Sequence, residues 1–323
     1  MSLGMRAYAE ELAARLPRVA PDLAFAALPR TRALDFAEQF QLPRALRRLH
    51  PRLVHFMSLY APLRAPRPYV ITVHDLIHLR FPQYFKRTVG PYYATIVRAV
   101  CARAARVITD DERTVGDLEQ RLGVPPEKVR VVSLGVDDIF REPVAPAREP
   151  RPYFLYVGNH REHKDLPTLF AAWAQLDPAS EVDLLLTGDD DLGPGVERPR
   201  RLHGEVRFLG QVTAARLASL YCGAVALVHP ALCEGFGLPL LEAATVGAAV
   251  IACDDAVPAV LRPYVDVFPP RDVRTLGALM ARALATPADR DAARRFARTL
   301  TWDRCAERTA EVYRNVLEEN PLR

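Results

Sequence analysis

Two carboxylates eight residues apart, Glu234 and Glu242, flank a glycine-rich turn in His229-Pro-Ala-Leu-Cys-Glu-Gly-Phe-Gly-Leu-Pro-Leu-Leu-Glu-Ala243. A β-branched run ends at His229, a loop carries Glu234, Gly235 and Gly237, and Pro239 suits the first turn of a following helix. Glycines at such a turn let a ligand approach the backbone closely. The start of the helix offers unpaired N–H donors and a partial positive charge, which together suit a phosphate. Carboxylates beside a phosphate site accept hydrogen bonds from hydroxyls, those of a ribose or a sugar. The competing reading makes Glu242 a favourable charge near a helix start and Glu234 an ordinary loop residue.

A second segment, Tyr153-Phe-Leu-Tyr-Val-Gly-Asn-His-Arg-Glu-His-Lys-Asp-Leu166, again runs from a strand into a glycine turn at Gly158. Arg161 and Lys164 follow before a helix. An Arg fork and a Lys point charge at a strand's carboxyl end can hold one diphosphate and stabilise its departure without a metal. A solvated basic loop is the alternative. The third segment is Tyr69-Val-Ile-Thr-Val-His-Asp-Leu76, where His74 follows a buried strand. Its roles could be donor to a sugar hydroxyl, backbone contact, general base or plain structure.

These segments need a scaffold that brings strand ends together. Short apolar runs alternate with helical patterns along the chain. Strands are expected at Leu53–Phe56, Tyr69–Val73, Arg106–Thr109, Val129–Ser133, Phe154–Val157, Val182–Thr187, Val206–Leu209, Ala224–His229, Val250–Cys253 and Val265–Phe268. They show little polar alternation, as in parallel sheets buried on both faces. Helices are expected at Met5–Leu16, Phe36–Leu49, Gly90–Ala105, Glu112–Leu122, Leu166–Leu176, Thr213–Cys222, Leu240–Val246, Asp272–Leu284, Asp289–Thr299 and Arg304–Glu318. The fold class is α/β, with two Rossmann-like halves carrying parallel sheets around a central cleft. The run from Arg141 to Pro152, with four prolines, reads as a hinge. It divides the chain into 1–146, 147–303 and a terminal helix at 304–323.

The 323 residues are half hydrophobic and a quarter charged, which excludes wholesale disorder. No apolar run reaches the ~18 residues of a membrane span. The start of the chain has no secretory apolar core, so the expected location is cytoplasmic. Five cysteines without a CxxC pair read as buried free thiols. Residues 1–150 carry 23 Lys and Arg against 16 Asp and Glu, net +7, whereas residues 151–323 carry 20 against 23, net −3. The basic half is either an ordinary arginine-rich surface or faces an anionic partner such as a membrane.

At Glu234-Gly-Phe-Gly-Leu-Pro-Leu-Leu-Glu242 the chain resembles the E-x7-E signature of the retaining glycosyltransferases of family 4, the group 1 glycosyltransferases, which have the GT-B architecture. The resemblance extends to Val73-His-Asp-Leu76, to Gly123-Val-Pro-Pro-Glu-Lys-Val-Arg-Val-Val with Gly135-Val-Asp137, to Gly158-Asn-His-Arg161-Glu-His-Lys164 and to Phe208-Leu-Gly-Gln-Val212. It implies that Arg161 and Lys164 hold the donor diphosphate, aided by the turn of Gly158 and by Gly235, Phe236, Gly237 and Leu238. It implies that Gly210 and Val212 lie on the nucleobase side, that Glu242 binds the ribose, that Glu234 meets the transferred sugar, and that His74 lines the sugar site from the first domain. No metal or cofactor is implied beyond a UDP-sugar or GDP-sugar donor. The acceptor would be a glycan or a lipid-linked glycan, bound mainly by residues 1–146 and met at the inner face of an anionic membrane. The last helix would cross back to the first domain.

Two departures stand out. Members open with a strand and a glycine-rich loop, whereas here Met1 is followed almost at once by a helix, with Gly4 as the remnant of the loop. The first sheet would then lack a central strand and leave unpaired edges, and activity itself would be in question. In Val107-Ile-Thr-Asp-Asp-Glu112, Asp111 stands where the family has a serine, either adding charge near the cleft or capping the next helix.

Other readings are a nicotinamide dehydrogenase, a metal-dependent transferase using Asp189-Asp190-Asp191, a nucleotide-sugar 2-epimerase and an inactive nucleotide-binding relative. Against the first, Leu240 replaces the third glycine of GxGxxG. The acidic run reads better as a turn. A nucleic-acid partner is not expected, because the arginines are scattered and not interleaved with aromatics.

Overall fold

A computed structural model of the chain describes residues 3–28, 38–85, 87–193, 196–199, 204–286 and 289–321. Contacts divide the chain into two compact units, Met1–Gly135 with Thr301–Arg323, and Val136–Leu300.

The first unit opens with α1 (Leu3–Val19) and α2 (Glu38–Leu49), followed by β1 (Val54–Phe56) and β2 (Tyr69–Thr72). The short helices α3 (Ile77–Arg80), α4 (Val89–Tyr92) and α5 (Arg98–Arg103) precede β3 (Arg106–Thr109), α6 (Glu112–Leu122) and β4 (Val129–Val131). The strands pair in parallel in the order β1-β2-β3-β4. Among the described residues the sheet has these four strands, with β1 and β4 at its edges. Gly4 lies in the first turn of α1 rather than in a loop. The single helix expected over 90–105 is interrupted by a π turn at Tyr93–Val97. There the Thr95 hydroxyl takes the carbonyl of Pro91 at 2.7 Å, competing with the backbone ladder. Residues 36 and 37 of the expected second helix lie outside the described residues. Asp111 accepts from the Arg113 amide at 2.8 Å and so caps α6, which ends at Gly123 in the left-handed conformation.

The second unit contains β5 (Tyr153–Tyr156), α7 (Leu166–Ala174), β6 (Asp183–Leu186), β7 (Val206–Phe208), α8 (Ala214–Gly223) and β8 (Ala226–His229). It continues with α9 (Leu238–Val246), β9 (Val250–Cys253), β10 (Asp266–Phe268), α10 (Val273–Ala285) and α11 (Asp291–Ala297). All its strands are parallel, in the order β10-β9-β8-β5-β6-β7. Every residue of β5, β6, β8 and β9 is buried, which is why their sequences lack alternation. Trp173, Tyr156 and Phe154 are fully buried in the core between this sheet and its helices.

Residues 142–152 form neither helix nor strand, as four prolines dictate. They are fastened to the second unit. The Ala147 amide donates to Ser219 at 2.8 Å, and Glu149 pairs with Arg207 and with Arg216. The chain returns to the first unit as α12 (Trp302–Glu319), which packs along α1. Arg15 and Arg18 of α1 reach Asp303 at 3.0 and 2.5 Å. Where this helix starts, a Cβ on Gly135 would lie 2.1 Å from the Trp302 amide, so only glycine fits. All five cysteines are free, and four are buried. No described helix is long and apolar enough to cross a membrane.

Candidate functional site

The sheet of the second unit reverses direction between β5 and β8. From β5 the chain proceeds outward to β6 and β7, and from β8 it proceeds the other way to β9 and β10. The loops leaving these two neighbours therefore diverge and open a crevice beyond their carboxyl ends, where ligands bind in open α/β sheets. The loop after β5 carries Gly158, Arg161 and Lys164; the loop after β8 carries Glu234 to Gly237. Both motifs read from the sequence meet at this point. The Leu232 amide donates to the His163 carbonyl at 2.9 Å and ties the two loops together.

Lys164 is buried, and its ammonium donates to Glu234 Oε1. His229, the last residue of β8, lies with Nε2 3.0 Å from the same oxygen. A carboxylate only accepts, so this nitrogen carries the proton. Burial alone would push the Glu234 carboxyl up, but the Lys164 charge and the His229 hydrogen bond outweigh it and hold the carboxyl well below the usual range. Tyr156 stacks parallel to the His229 ring at 6.5 Å and closes the floor. Arg161 is exposed, and its guanidinium pairs with nothing among the described residues. One of the two expected cations is thus committed to Glu234, and the other is open to a ligand.

Glu242 sits in the second turn of α9 and has a partner of its own. Its Oε2 accepts from the hydroxyl of Tyr221 on α8 at 2.8 Å. Burial, reinforced by the Asp137 charge, raises its carboxyl from 4.5 to about 7, although the Tyr221 hydrogen bond works the other way. Such a side chain stands ready for a partner that hydrogen-bonds the ionised form. Between the two carboxylates, Gly237 caps α9 with φ +75, and Leu238 begins it. The Leu240 and Leu241 amides return to the Gly237 carbonyl, and Pro239 has no N–H. The Gly237 and Leu238 amides keep no hydrogen bond among the described residues, so the donors at this end are those two. Gly235 is half-buried and Phe236 buried beneath it.

Gly158 adopts φ +153, and its amide donates to the Thr187 hydroxyl at 3.2 Å. A Cβ there would come within 2.9 Å of the Tyr156 hydroxyl. Gly210 bridges Gly188 in antiparallel fashion, and Val212 is half-buried just before the Thr213 cap of α8. The acidic run is spoken for: Asp190 pairs with Arg198, and Asp191 lies 2.6 Å from His160 Nδ1. His74 belongs to the first unit, two residues beyond β2.

Several residues here were missed by motif reading. Tyr221 serves Glu242 from another helix and carries no motif of its own, and His229 was read only as the end of a strand. Asp110, which faces His74, was read only as part of the stretch around Asp111.

Two family models match the chain. One, described as Glycosyltransferase Family 4, covers residues 4–139, and one described as Glycosyl transferases group 1 covers residues 151–286. The chain belongs to glycosyltransferase family 4. Its relatives in this family include the O-antigen chain mannosyltransferase B of Escherichia coli, 27% identical over 84% of this chain and 79% of that protein. The D-inositol 3-phosphate glycosyltransferase of Salinispora tropica is 30% identical over 79% of this chain, which spans only 61% of that relative. Among solved structures, HepE from Anabaena in complex with UDP-glucose superposes with a TM-score of 0.66 at 18% identity, covering 84% of this chain and 81% of HepE. The architecture is that of the GT-B glycosyltransferases, with two parallel-sheet α/β domains.

Proposed function

We propose that this glycosyltransferase moves a hexosyl group from a UDP-sugar or GDP-sugar to a glycan or lipid-linked acceptor, with retention of configuration and without a metal. The observation that carries the reading is the pairing of Lys164 with Glu234 between the loops that leave β5 and β8, where the order of the second sheet reverses and α9 begins. The donor diphosphate lies against Arg161 and the open amides of Gly237 and Leu238. Glu242 accepts from the ribose hydroxyls, and Glu234 from hydroxyls of the sugar. The His74 imidazole is a further donor to a hydroxyl of the sugar. The bond from the anomeric carbon to the phosphate oxygen breaks as the bond to the acceptor oxygen forms on the same face. The acceptor proton passes to the departing phosphate, whose charge Arg161 and Lys164 stabilise. The HepE complex with UDP-glucose supports this donor class, and the mannosyltransferase relative supports transfer of a hexosyl group.

The lipid-linked acceptor is supported by the first unit's α2, which exposes Phe40 and Leu49 beside Arg44, Arg47 and Arg48. Work at the cytoplasmic face of the membrane follows from that choice of acceptor. Sedimentation with anionic vesicles at low salt tests it, and absence of binding sinks it.

The first experiment is calorimetric titration with UDP and GDP, with and without chelator, followed by transfer assays with the sugars of the base that binds. Chelator-insensitive binding and an anomer matching the donor's are expected. No binding by a folded chain, an inverted product or loss of binding on chelation overturns the corresponding part. A free epimerised sugar nucleotide as product would replace transfer by epimerisation.

A further inference from the structure

The first unit holds a buried acid that the reading above does not use. Asp110 follows β3 immediately and is 1% exposed. Its Oδ2 lies 2.6 Å from Nδ1 of His74. The sheet explains the meeting: β2 and β3 pair in parallel with Thr72 opposite Ile108, so the residues just beyond both strands emerge at the same end. The carboxylate accepts, and the proton sits on Nδ1. Tyr8 of α1 abuts the imidazole edge-on at 4.7 Å and fixes its plane from the side.

Two atoms are left over. Oδ1 of Asp110 and Nε2 of His74 are both buried, and neither makes a hydrogen bond of normal geometry among the described residues, although the Met57 carbonyl faces the His74 ring. Leaving buried polar atoms unpaired is unfavourable, and an arrangement built only for packing would satisfy them. Asp111 next door is committed as the α6 cap, so the two acids have separate tasks.

We propose that Asp110 is a positioning residue: it holds His74 through Nδ1, so that Nε2 presents its N–H to an oxygen of the bound donor. This rests on the placement of His74 at the transferred sugar given above. The groups facing the pair are Asp75 beside His74, Asp111 beside Asp110, His55 from β1, Tyr8 from α1 and Cys305 from α12. Burial opposes a charge on His74, but the facing Asp110 outweighs it and raises the His74 pKa, with the Met57 carbonyl adding to the effect. His55 stays neutral because burial holds it down at about 3. Histidine with its proton held in this way donates from Nε2 over a wider pH range than a free imidazole.

The test uses the full chain and Asp110→Asn, which keeps an acceptor oxygen but removes the charge. Affinity for UDP or GDP is expected to stay unchanged, while kcat for transfer falls roughly ten- to hundredfold, the worth of one charge-assisted hydrogen bond. The alkaline limb of the pH profile moves to lower pH, and the NMR titration midpoint of the His74 ring falls. In a His74→Ala background, Asp110→Asn adds no further loss, because Asp110 acts through the ring. Unchanged kcat and pH profile, or an equal loss without His74, overturns the proposal. Unmutated protein supplies an arm that needs neither activity nor a folded variant: a strongly deshielded Nδ1 proton of His74, whose absence overturns the pairing. If no donor supports transfer, the proposed function fails, and the NMR midpoints still decide the pair.

Discussion

Glu242→Gln tests the electrostatics of the donor site most directly. The substitution keeps the shape of the side chain and an oxygen for the Tyr221 hydroxyl, now 2.8 Å from the carboxylate. It removes the buried charge. At ~1.4 kcal/mol per pH unit, the rise from 4.5 to about 7 means that ionising Glu242 in the folded chain costs ~3 kcal/mol more than in the unfolded one. Below pH 4.5 both states hold the proton and the cost is absent. Between 4.5 and about 7 the unfolded chain gives up its proton first, so stability falls as pH rises. Above about 7 the whole cost is present. Glutamine never incurs it. The variant should therefore gain little at pH ~5 and ~3 kcal/mol at pH ~8, which for a unit of this size is a thermal midpoint ~6–12 °C higher. Thermal unfolding of both proteins at the two pH values, at one ionic strength, measures it. The same variant should bind UDP or GDP more weakly, and its affinity should lose the rise through pH ~7 that the native carboxylate confers. An equal stability difference at both pH values would refute the reasoning, because the charge would then not be the cause.

Other outcomes follow from the same geometry. Arg161→Ala removes an exposed guanidinium with no partner among the described residues, so it should leave stability unchanged and weaken nucleoside diphosphate binding roughly ten- to hundredfold by calorimetry; unchanged affinity removes Arg161 from the site. Lys164→Met strands the Glu234 carboxylate, which should cost ~3–5 kcal/mol in urea unfolding at neutral pH. Because the Glu234 carboxyl is held low, that stabilisation exists above its ordinary range and is lost as pH falls, so the penalty should shrink toward acid and be largely relieved by adding Glu234→Gln. A penalty independent of pH would contradict the ion pair. Gly237→Ala forces a side chain into φ +75 with its Cβ 3.0 Å from Leu240 Cδ1. A loss of ~1–2 kcal/mol in stability, together with weaker diphosphate binding, is the expected result; an unaffected variant would mean that the turn does not need glycine.

Much of this protein was legible in its residues. The ten expected strands all form, within a residue or two of their ends, because runs such as Tyr153–Tyr156 and Val250–Cys253 are apolar throughout and can only be buried on both faces. The glycine turn with Glu234 and Glu242 lies where strand-to-helix chemistry placed it, since left-handed backbone at Gly237 and a proline in the first turn of α9 are local requirements. The alternation of strand and helix led to two parallel-sheet units. The break in the helix at Tyr93–Val97 was not legible, because a hydroxyl reaching Pro91 competes with a backbone ladder that periodicity takes for granted.

Partner choice is what the sequence left undecided. Lys164 and Glu234 are 70 residues apart, and His74 and Asp110 are 36 apart. Periodicity and motif spacing describe one element at a time, whereas these pairs exist only because β8 lies beside β5 and β3 lies beside β2. Once a sheet excludes water around such groups, each charge must find its counterpart among whatever side chains the neighbouring strand end presents. The chain's order of residues determined which strands and turns form. The order of strands in each sheet decided which acid faces which base, and with that the charge each carries.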